Sequence, residues 1–165
     1  MATRAWKETW DRLYREAYPD IFRALVATLL DEEAAADAMH DAFLDGLNRP
    51  PPNEVNLRGW LFRVALRKAR RAKRRASLLH PVALLFGLEA ERRQRSEVDA
   101  VLDRVAVGRL LEILTERQRA VVVAYFYLGL RQEDIAEQLG IRRGTVASTL
   151  AHAIERMRKG ESHVV

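Results

Sequence analysis

Residues 131–159 read RQEDIAEQLGIRRGTVASTLAHAIERMRK, and this stretch decides the fold of the second half of the chain. Ile135, Ala136 and Leu139 fall on one side of a short amphipathic helix, and small Ala136 allows a second helix to cross closely. Gly140 follows where a tight turn needs a residue that tolerates positive φ. The second helix has an apolar inward stripe, namely Val146, Leu150, Ala153, Ile154 and Met157. The pattern predicts a helix-turn-helix that binds duplex DNA; the alternative is a helical hairpin that only packs.

The outer side of the second helix carries side chains suited to DNA. Its N-terminal end, which enters a major groove first, holds Arg142, Arg143 and Thr145. Arginine can pair bidentately with guanine, while serine and threonine can contact phosphates or bases. The predicted recognition residues are Arg142, Arg143, Thr145, Ser148, His152 and Arg156.

A second DNA-facing feature is the strongly basic segment 58–75, with nine basic side chains and no acidic one. It accounts for essentially all the basic character of a chain with net charge +5 and pI near 10.0. Such a block attracts polyanions. The alternative is a solvated face or a helix on a membrane surface.

Trp60 lies on the same predicted helical face as several arginines of that segment. There, guanidinium groups could neutralise phosphates while the indole stacks on an unpaired base. The alternative is that Trp60 folds inward onto the core. The predicted set for binding melted DNA is Trp60, Arg63, Arg67, Lys68, Arg70, Arg71 and Arg74.

The predicted first module, residues 1–76, contains three helices. Apolar residues recur every four positions from Leu13 to Leu29, and Asp31 opens a second helix. That helix carries an outward acidic row, Asp37, Asp41 and Asp45, at intervals of four. The segment 48–56, NRPPPNEVN, cannot continue a helix, so the third helix begins near Leu57.

Residues 77–107 are interpreted as a linker, in which Pro81 and Gly87 argue against one continuous helix. The second module spans 108–165, and Thr115 with Gln118 fits a capping box at a helix start. The following AVVVAYFYLGL, residues 120–130, favours a buried helix with Tyr125 on its inner side, although a buried strand is the alternative. The predicted fold class is all-α, with two small helical domains joined by a linker.

Several classes of site are excluded or disfavoured by composition. The chain has no cysteine, which rules out disulfides, cysteine-ligated zinc, iron–sulfur clusters and thiol nucleophiles. The four histidines show no ligand spacing, so no metal, other cofactor or enzymatic activity is expected. No apolar run reaches the roughly 20 residues of a membrane span, and the N-terminus lacks a signal-type apolar region. A cytoplasmic protein without membrane insertion is expected.

Taken together, the two modules resemble a bacterial RNA polymerase sigma factor of the extracytoplasmic-function (ECF) class. The resemblance rests on ADAMHDAFLDGL (36–47), similar to the acidic helix of region two, and on LRGWLFRVALRKARR (57–71), similar to its promoter-melting helix. It rests most strongly on residues 114–150, LTERQRAVVVAYFYLGLRQEDIAEQLGIRRGTVASTL, which are similar to region four.

The resemblance implies a division of labour. The second helix would dock on the basic clamp helices of the largest polymerase subunit through Asp37, Asp41, Leu44 and Asp45. The loop 48–56 and the Trp60 helix would read and open the minus-ten element, and the helix from Arg142 would read the minus-thirty-five element. The polymerase flap and an anti-sigma factor are further partners that the resemblance allows.

The chain departs from the family pattern at several positions. Ala147 and Thr149 stand where the recognition helix usually has basic residues, Arg67 replaces an asparagine, and His40 replaces a common glutamine. These departures affect the promoter sequence that is read. Two other functions compete with this reading: a helix-turn-helix regulator that acts without polymerase, and an adaptor that binds a protein through the apolar part of the linker.

Overall fold

The computed structural model describes residues 4–52, 55–85 and 105–161, and these residues form helices joined by turns. Seven α-helices lie within these ranges: α1 (Arg4–Leu29), α2 (Glu32–Asn48), α3 (Leu57–Leu85), α4 (Val105–Glu112), α5 (Glu116–Val122), α6 (Gln132–Leu139) and α7 (Arg143–Glu161). A π-helical turn, Val123–Tyr127, continues α5. The prediction of an all-α fold is confirmed.

Helices α1, α2 and α3 pack together as the first module, and the N-termini of α2 and α3 are fixed by side-chain caps. The Asp31 carboxylate accepts a hydrogen bond from the Ala34 amide (2.9 Å) and caps α2. The Asn56 side chain does the same for α3 through the Gly59 amide (2.9 Å). The predicted inner residues of α3, which include Leu61 and Val64, are buried.

Two tryptophans fix α1 against the end of α2. Trp6 Nε1 donates to the Gly46 carbonyl and Trp10 Nε1 to the Phe43 carbonyl, both at 3.0 Å. A β-carbon at Gly46 would collide with the Trp10 ring, so glycine is what permits this close approach.

Helix α3 differs from the expectation for residues 77–85. It continues into the predicted linker and through Pro81, ending at Leu85, although Pro81 was expected to interrupt a helix. The fixed φ of proline lies in the helical range, so a helix can continue through it, although the residue removes one backbone hydrogen bond and its ring crowds the carbonyl four residues earlier. Residues 86–104 of the predicted linker lie outside the described residues, and its last three residues, 105–107, belong to α4 (Val105–Glu112). The domain boundaries remain predictions.

The second module is built on the predicted capping box and turn. Thr115 accepts from the Gln118 amide (3.2 Å), while the Gln118 side chain accepts from the Thr115 amide (3.0 Å). Gly140 has φ +64° at the end of α6, and the Ile141 amide returns to the Ala136 carbonyl (3.0 Å). The helix-turn-helix of α6 and α7 follows directly from this turn.

Two details of the second module were predicted wrongly. Residues 120–127 of the segment 120–130 are helical, as favoured, but the π-turn adds a residue to the helical repeat and rotates the residues after it. Tyr125, predicted to face inward, is therefore 37% exposed, beside the more exposed Phe126 and Tyr127. Ile154 is 48% exposed, since the buried stripe of α7 runs along Val146, Leu150 and Ala153, to one side of it.

The two modules pack against each other. Helix α1 contacts α4, α5 and the π-turn, and α3 contacts α6. Buried residues of both modules belong to one continuous apolar cluster, which runs from Trp6 to Ala153.

Candidate nucleic-acid and polymerase interface

The N-terminal end of α7 presents most of the predicted recognition residues to solvent. Arg142, Arg143, Ser148, His152 and Arg156 are exposed, whereas Thr145 is half-buried. The helix is seated by buried Val146, Leu150 and Ala153 against the rest of the module, so its outer face is held rigidly. This is the arrangement in which a recognition helix can enter a major groove.

Two of these side chains have partners within the module. Arg143 Nε lies 2.8 Å from Glu133 Oε1, which links the start of α7 to α6 across the turn. The Ser148 hydroxyl donates to the Thr145 carbonyl (3.1 Å). Arg142 therefore has the clearest access to a base edge among the basic residues at this end.

The basic side chains of α3 fall into two groups, one exposed to solvent and one half-buried. Arg67, Arg71 and Arg74 are exposed, as expected for groups that contact phosphates. Lys68 and Arg70 are half-buried and engaged in ion pairs: Lys68 Nζ with Asp45 Oδ2 (2.8 Å) and Arg70 Nε with Glu116 Oε1 (2.7 Å). Arg63 is half-buried, and its Nε is buried without a hydrogen-bond partner among the residues that the structure describes.

Trp60 neither points fully outward, as base stacking alone would suggest, nor is fully buried in the core. It is half-buried, packs against the core, and meets Trp10 edge to face with ring centroids 6.0 Å apart. The side chain is not fully covered, and Arg63 and Arg67 follow it at helical spacing on α3. The residue therefore contributes to packing and is also placed where a base could reach it.

Part of the acidic row of α2 and part of the basic segment of α3 line one groove of about 470 Å³, which we call the α2–α3 groove. Asp37 and Asp41 line one wall, and Lys68, Arg70 and Lys73 line the other, over an alanine-rich floor. Leu44 is 46% exposed, and Asp45 is tied to Lys68. The predicted polymerase-docking row of α2 and the predicted DNA-binding residues of α3 are thus neighbours. Glu116 of the second module also lines this groove.

Sequence reasoning missed the residues that join the modules. Arg119 Nε donates to the Thr28 carbonyl (2.6 Å) at the end of α1, and Arg119 Nη1 donates to the Leu114 carbonyl (2.6 Å) after α4. Helix C-termini leave such carbonyls without intrahelical donors, so one guanidinium caps two helices of different modules. Periodicity within α5 gave no sign of this role, because Thr28 lies 91 residues away.

Several of these contacts shift the pKa of the charged side chains involved. Burial lowers the pKa of Arg119 from its ordinary value, the expected effect of placing a cation among apolar residues. Interaction with the Tyr127 hydroxyl raises the pKa of Arg23 from its ordinary value. In α6, the hydrogen bond from Arg131 lowers the pKa of Asp134.

The chain matches two models of one protein family. Residues 13–78 match Sigma-70 region 2, and residues 104–157 match Sigma-70, region 4. The first match covers most of α1, all of α2 and most of α3; the second runs from α4 through most of α7 and so contains the helix-turn-helix. The fold and the candidate interface thus define a protein of the sigma-70 class.

Comparison with individual proteins narrows the class. The chain is 31% identical over 151 residues to the ECF RNA polymerase sigma factor SigM of Mycobacterium tuberculosis, covering 90% of this chain and 74% of that one. It is 29% identical to SigL of the same organism, over 88% of this chain and 85% of the relative. The protein belongs to the ECF family of RNA polymerase sigma factors, and it is a polymerase-binding subunit that confers promoter specificity.

A solved structure shares the fold. The sigma factor RpoE of Bartonella quintana, in complex with the anti-sigma factor NepR, superposes with a TM-score of 0.71 at 17% identity, over 94% of this chain and 98% of that one. Within the helices that the structure describes, none is long and apolar enough to cross a membrane.

Proposed function

We propose that the three functional steps of this sigma factor are divided among three helices. Helix α2 docks on core polymerase, α3 with Trp60 holds and opens the minus-ten element, and α7 reads the minus-thirty-five element as duplex. The observation that supports this division is the separation of the exposed side chains: acidic on α2, basic beside Trp60 on α3, and basic at the start of α7.

Docking through α2 follows from its exposed surface. Asp37 and Asp41 are exposed and Leu44 is 46% exposed, so the helix offers carboxylates beside an apolar side chain. A basic helical partner complements this pattern, as on the clamp helices of the largest polymerase subunit. The polymerase flap is the corresponding partner for the second module. Asp45 supports the site by holding Lys68 (2.8 Å).

Opening by α3 combines neutralisation and stacking. Exposed Arg67, Arg71 and Arg74 would contact phosphates, with Arg63, Lys68 and Arg70 beside them. Trp60 would stack on an unpaired base, an interaction of about 1–3 kcal/mol. Its contact with Trp10 holds the indole in place, which limits the entropy lost when a base binds.

Reading by α7 rests on a short set of side chains. Arg142 and Arg143 flank the groove entrance, Thr145 and Ser148 suit phosphates or base edges, and His152 follows. Arg156 lies further along the helix and suits the backbone. At the two positions where the family usually has basic residues, Ala147 is exposed and Thr149 half-buried, so base contacts there differ from those of relatives.

Three assays on matched variants test the division. Asp41→Arg should weaken binding to core polymerase, while Glu16→Arg, the same change at an exposed site on α1, should not. Arg142→Ala should weaken binding to duplex promoter DNA by about 5- to 150-fold, from the 1–3 kcal/mol of a bidentate base contact. Arg117→Ala, at an exposed site of the same module, is its control.

Trp60 is tested by two replacements with different chemistry. Trp60→Phe keeps an aromatic face, whereas Trp60→Leu keeps apolar volume for the core and loses stacking. If stacking is the role, opening measured by permanganate reactivity survives in Trp60→Phe and falls in Trp60→Leu, with closed-complex binding little changed. Equal opening by the two variants, or equal loss of closed and open complexes, would contradict the proposal.

The remaining features of the function belong to the same proposal. The chain itself catalyses nothing, because polymerase supplies the chemistry. It acts in the cytoplasm, where core polymerase and promoters meet. An anti-sigma factor is a further partner, since a sigma factor of the same fold has been solved with one bound.

A further inference from the structure

Part of the exposed face of α7, the proposed DNA-reading surface, carries no polar side chain. Gly144, Ala147 and Ala151 follow one another at intervals of three and four, so they share one side of the helix. All three are exposed. A β-carbon built at Gly144 would meet no atom of the described residues within 4 Å beyond its own turn of helix. This side of α7 is therefore open to a ligand along two helical turns.

Two polar side chains beside these residues are held by contacts within the second module. The Ser148 hydroxyl donates to the Thr145 carbonyl at 3.1 Å, and Arg143 Nε lies 2.8 Å from Glu133 Oε1. These contacts keep a hydroxyl and a guanidinium from covering the two alanines. The middle of the exposed face thus presents two alanine methyl groups to the DNA.

The chemistry of base edges decides what an alanine methyl group can recognise in a major groove. Adenine, guanine and cytosine present only hydrogen-bond donors and acceptors there, whereas thymine adds an apolar group, its C5 methyl. A methyl group placed against a polar edge displaces water without replacing its hydrogen bonds, which is unfavourable. Placed against the thymine methyl, it buries apolar surface on both sides, which is favourable. Alanine at these positions therefore discriminates in favour of thymine.

We propose that Ala147 and Ala151 are specificity-determining residues that read the C5 methyl groups of two thymines in the minus-thirty-five element. The proposal rests on the proposed function for the placement of α7 in the major groove. Four residues of an α-helix span about 6 Å and base pairs stack at about 3.4 Å, so the two thymines lie about two base pairs apart. Arg142, five residues before Ala147, contacts a guanine beyond the first thymine.

Removal of single methyl groups from the DNA tests this reading. The full chain bound to core polymerase selects duplexes from a promoter fragment, found by transcript mapping, whose minus-thirty-five region is randomised. The tightest-binding sequence is then remade with deoxyuridine in place of one thymidine at a time, because uracil keeps the hydrogen-bonding groups and lacks the methyl. Binding should weaken about fourfold at two positions about two base pairs apart, the effect of exposing one methyl-sized group.

Two matched variants assign each thymine to its residue. Ala147→Arg should select guanine at the first position and lose the difference between thymine and uracil there, while the fourfold difference at the second position remains. Ala151→Arg should do the reverse, so each variant is the control for the other. Both sites are exposed, and the ratio compares two duplexes on one protein, so the nonspecific affinity that an added arginine brings cancels.

The proposal is overturned if thymine and uracil bind equally at every position of the selected sequence, or if that sequence contains no thymine. It is also overturned if the two arginine variants lose discrimination at the same position. A selected sequence that is weakened by Arg142→Ala but tolerates uracil would remove thymine reading and leave the proposed function of α7 intact. Failure to enrich any sequence would overturn both.

Discussion

Replacing Arg119 with methionine removes a guanidinium that caps two helices and keeps the apolar stem of the side chain. Its two short hydrogen bonds, 2.6 Å each to the Thr28 and Leu114 carbonyls, are of the charged kind. Such bonds contribute about 1.5–3 kcal/mol each when buried. The side chain is half-buried, so water can replace part of the lost hydrogen bonding. We therefore expect the free energy of unfolding to fall by about 2–4 kcal/mol.

The assay is urea denaturation followed by far-UV circular dichroism, together with a thermal scan. For a chain of this size, the expected loss corresponds to a melting temperature lower by roughly 5–12 °C. Arg117→Met is the matched control, because Arg117 is exposed on the same helix and arginine and methionine have similar helix propensities. The reasoning would be refuted if both variants unfolded within about 0.5 kcal/mol of the wild type, the range of ordinary surface substitutions.

Three further predictions concern positions where the backbone or a cap decides stability. Gly46→Ala should destabilise the protein by up to about 2 kcal/mol in urea titrations, because the clash with the Trp10 ring outweighs the helix propensity of alanine; a stabilised variant would contradict this. Gly140→Ala should cost about 1–2 kcal/mol by the same measurement, since φ is +64° there, and an unchanged denaturation midpoint would count against it. Thr115→Ala should cost about 1 kcal/mol by removing the cap of α5, with faster amide exchange at Gln118 as a local readout; unchanged exchange would argue against the capping role.

Features encoded by neighbouring residues were predictable from sequence. The apolar spacing in α1, the capping box at Thr115 and the positive φ at Gly140 depend on residues within one or two helical turns. The acidic and basic faces of α2 and α3 follow from the same periodicity. That is why the helices, and the side chains exposed on them, largely match the expectation.

Features that depend on distant residues were not predictable in this way. Arg70 was expected to contact DNA, but it pairs with Glu116, which lies 46 residues away and belongs to the other module. Trp60 is half-buried because Trp10, 50 positions earlier, packs against its edge. The exposure of Tyr125 depends on a π-turn, whose single extra residue leaves no local signature that we could read beforehand.

The most direct test of the central claim is to map transcript starts with purified core polymerase, with and without this protein, on genomic promoter fragments. The account predicts new, discrete starts that require the protein, and co-elution of the protein with core polymerase. Absence of new starts, together with failure to co-elute with core, would contradict it.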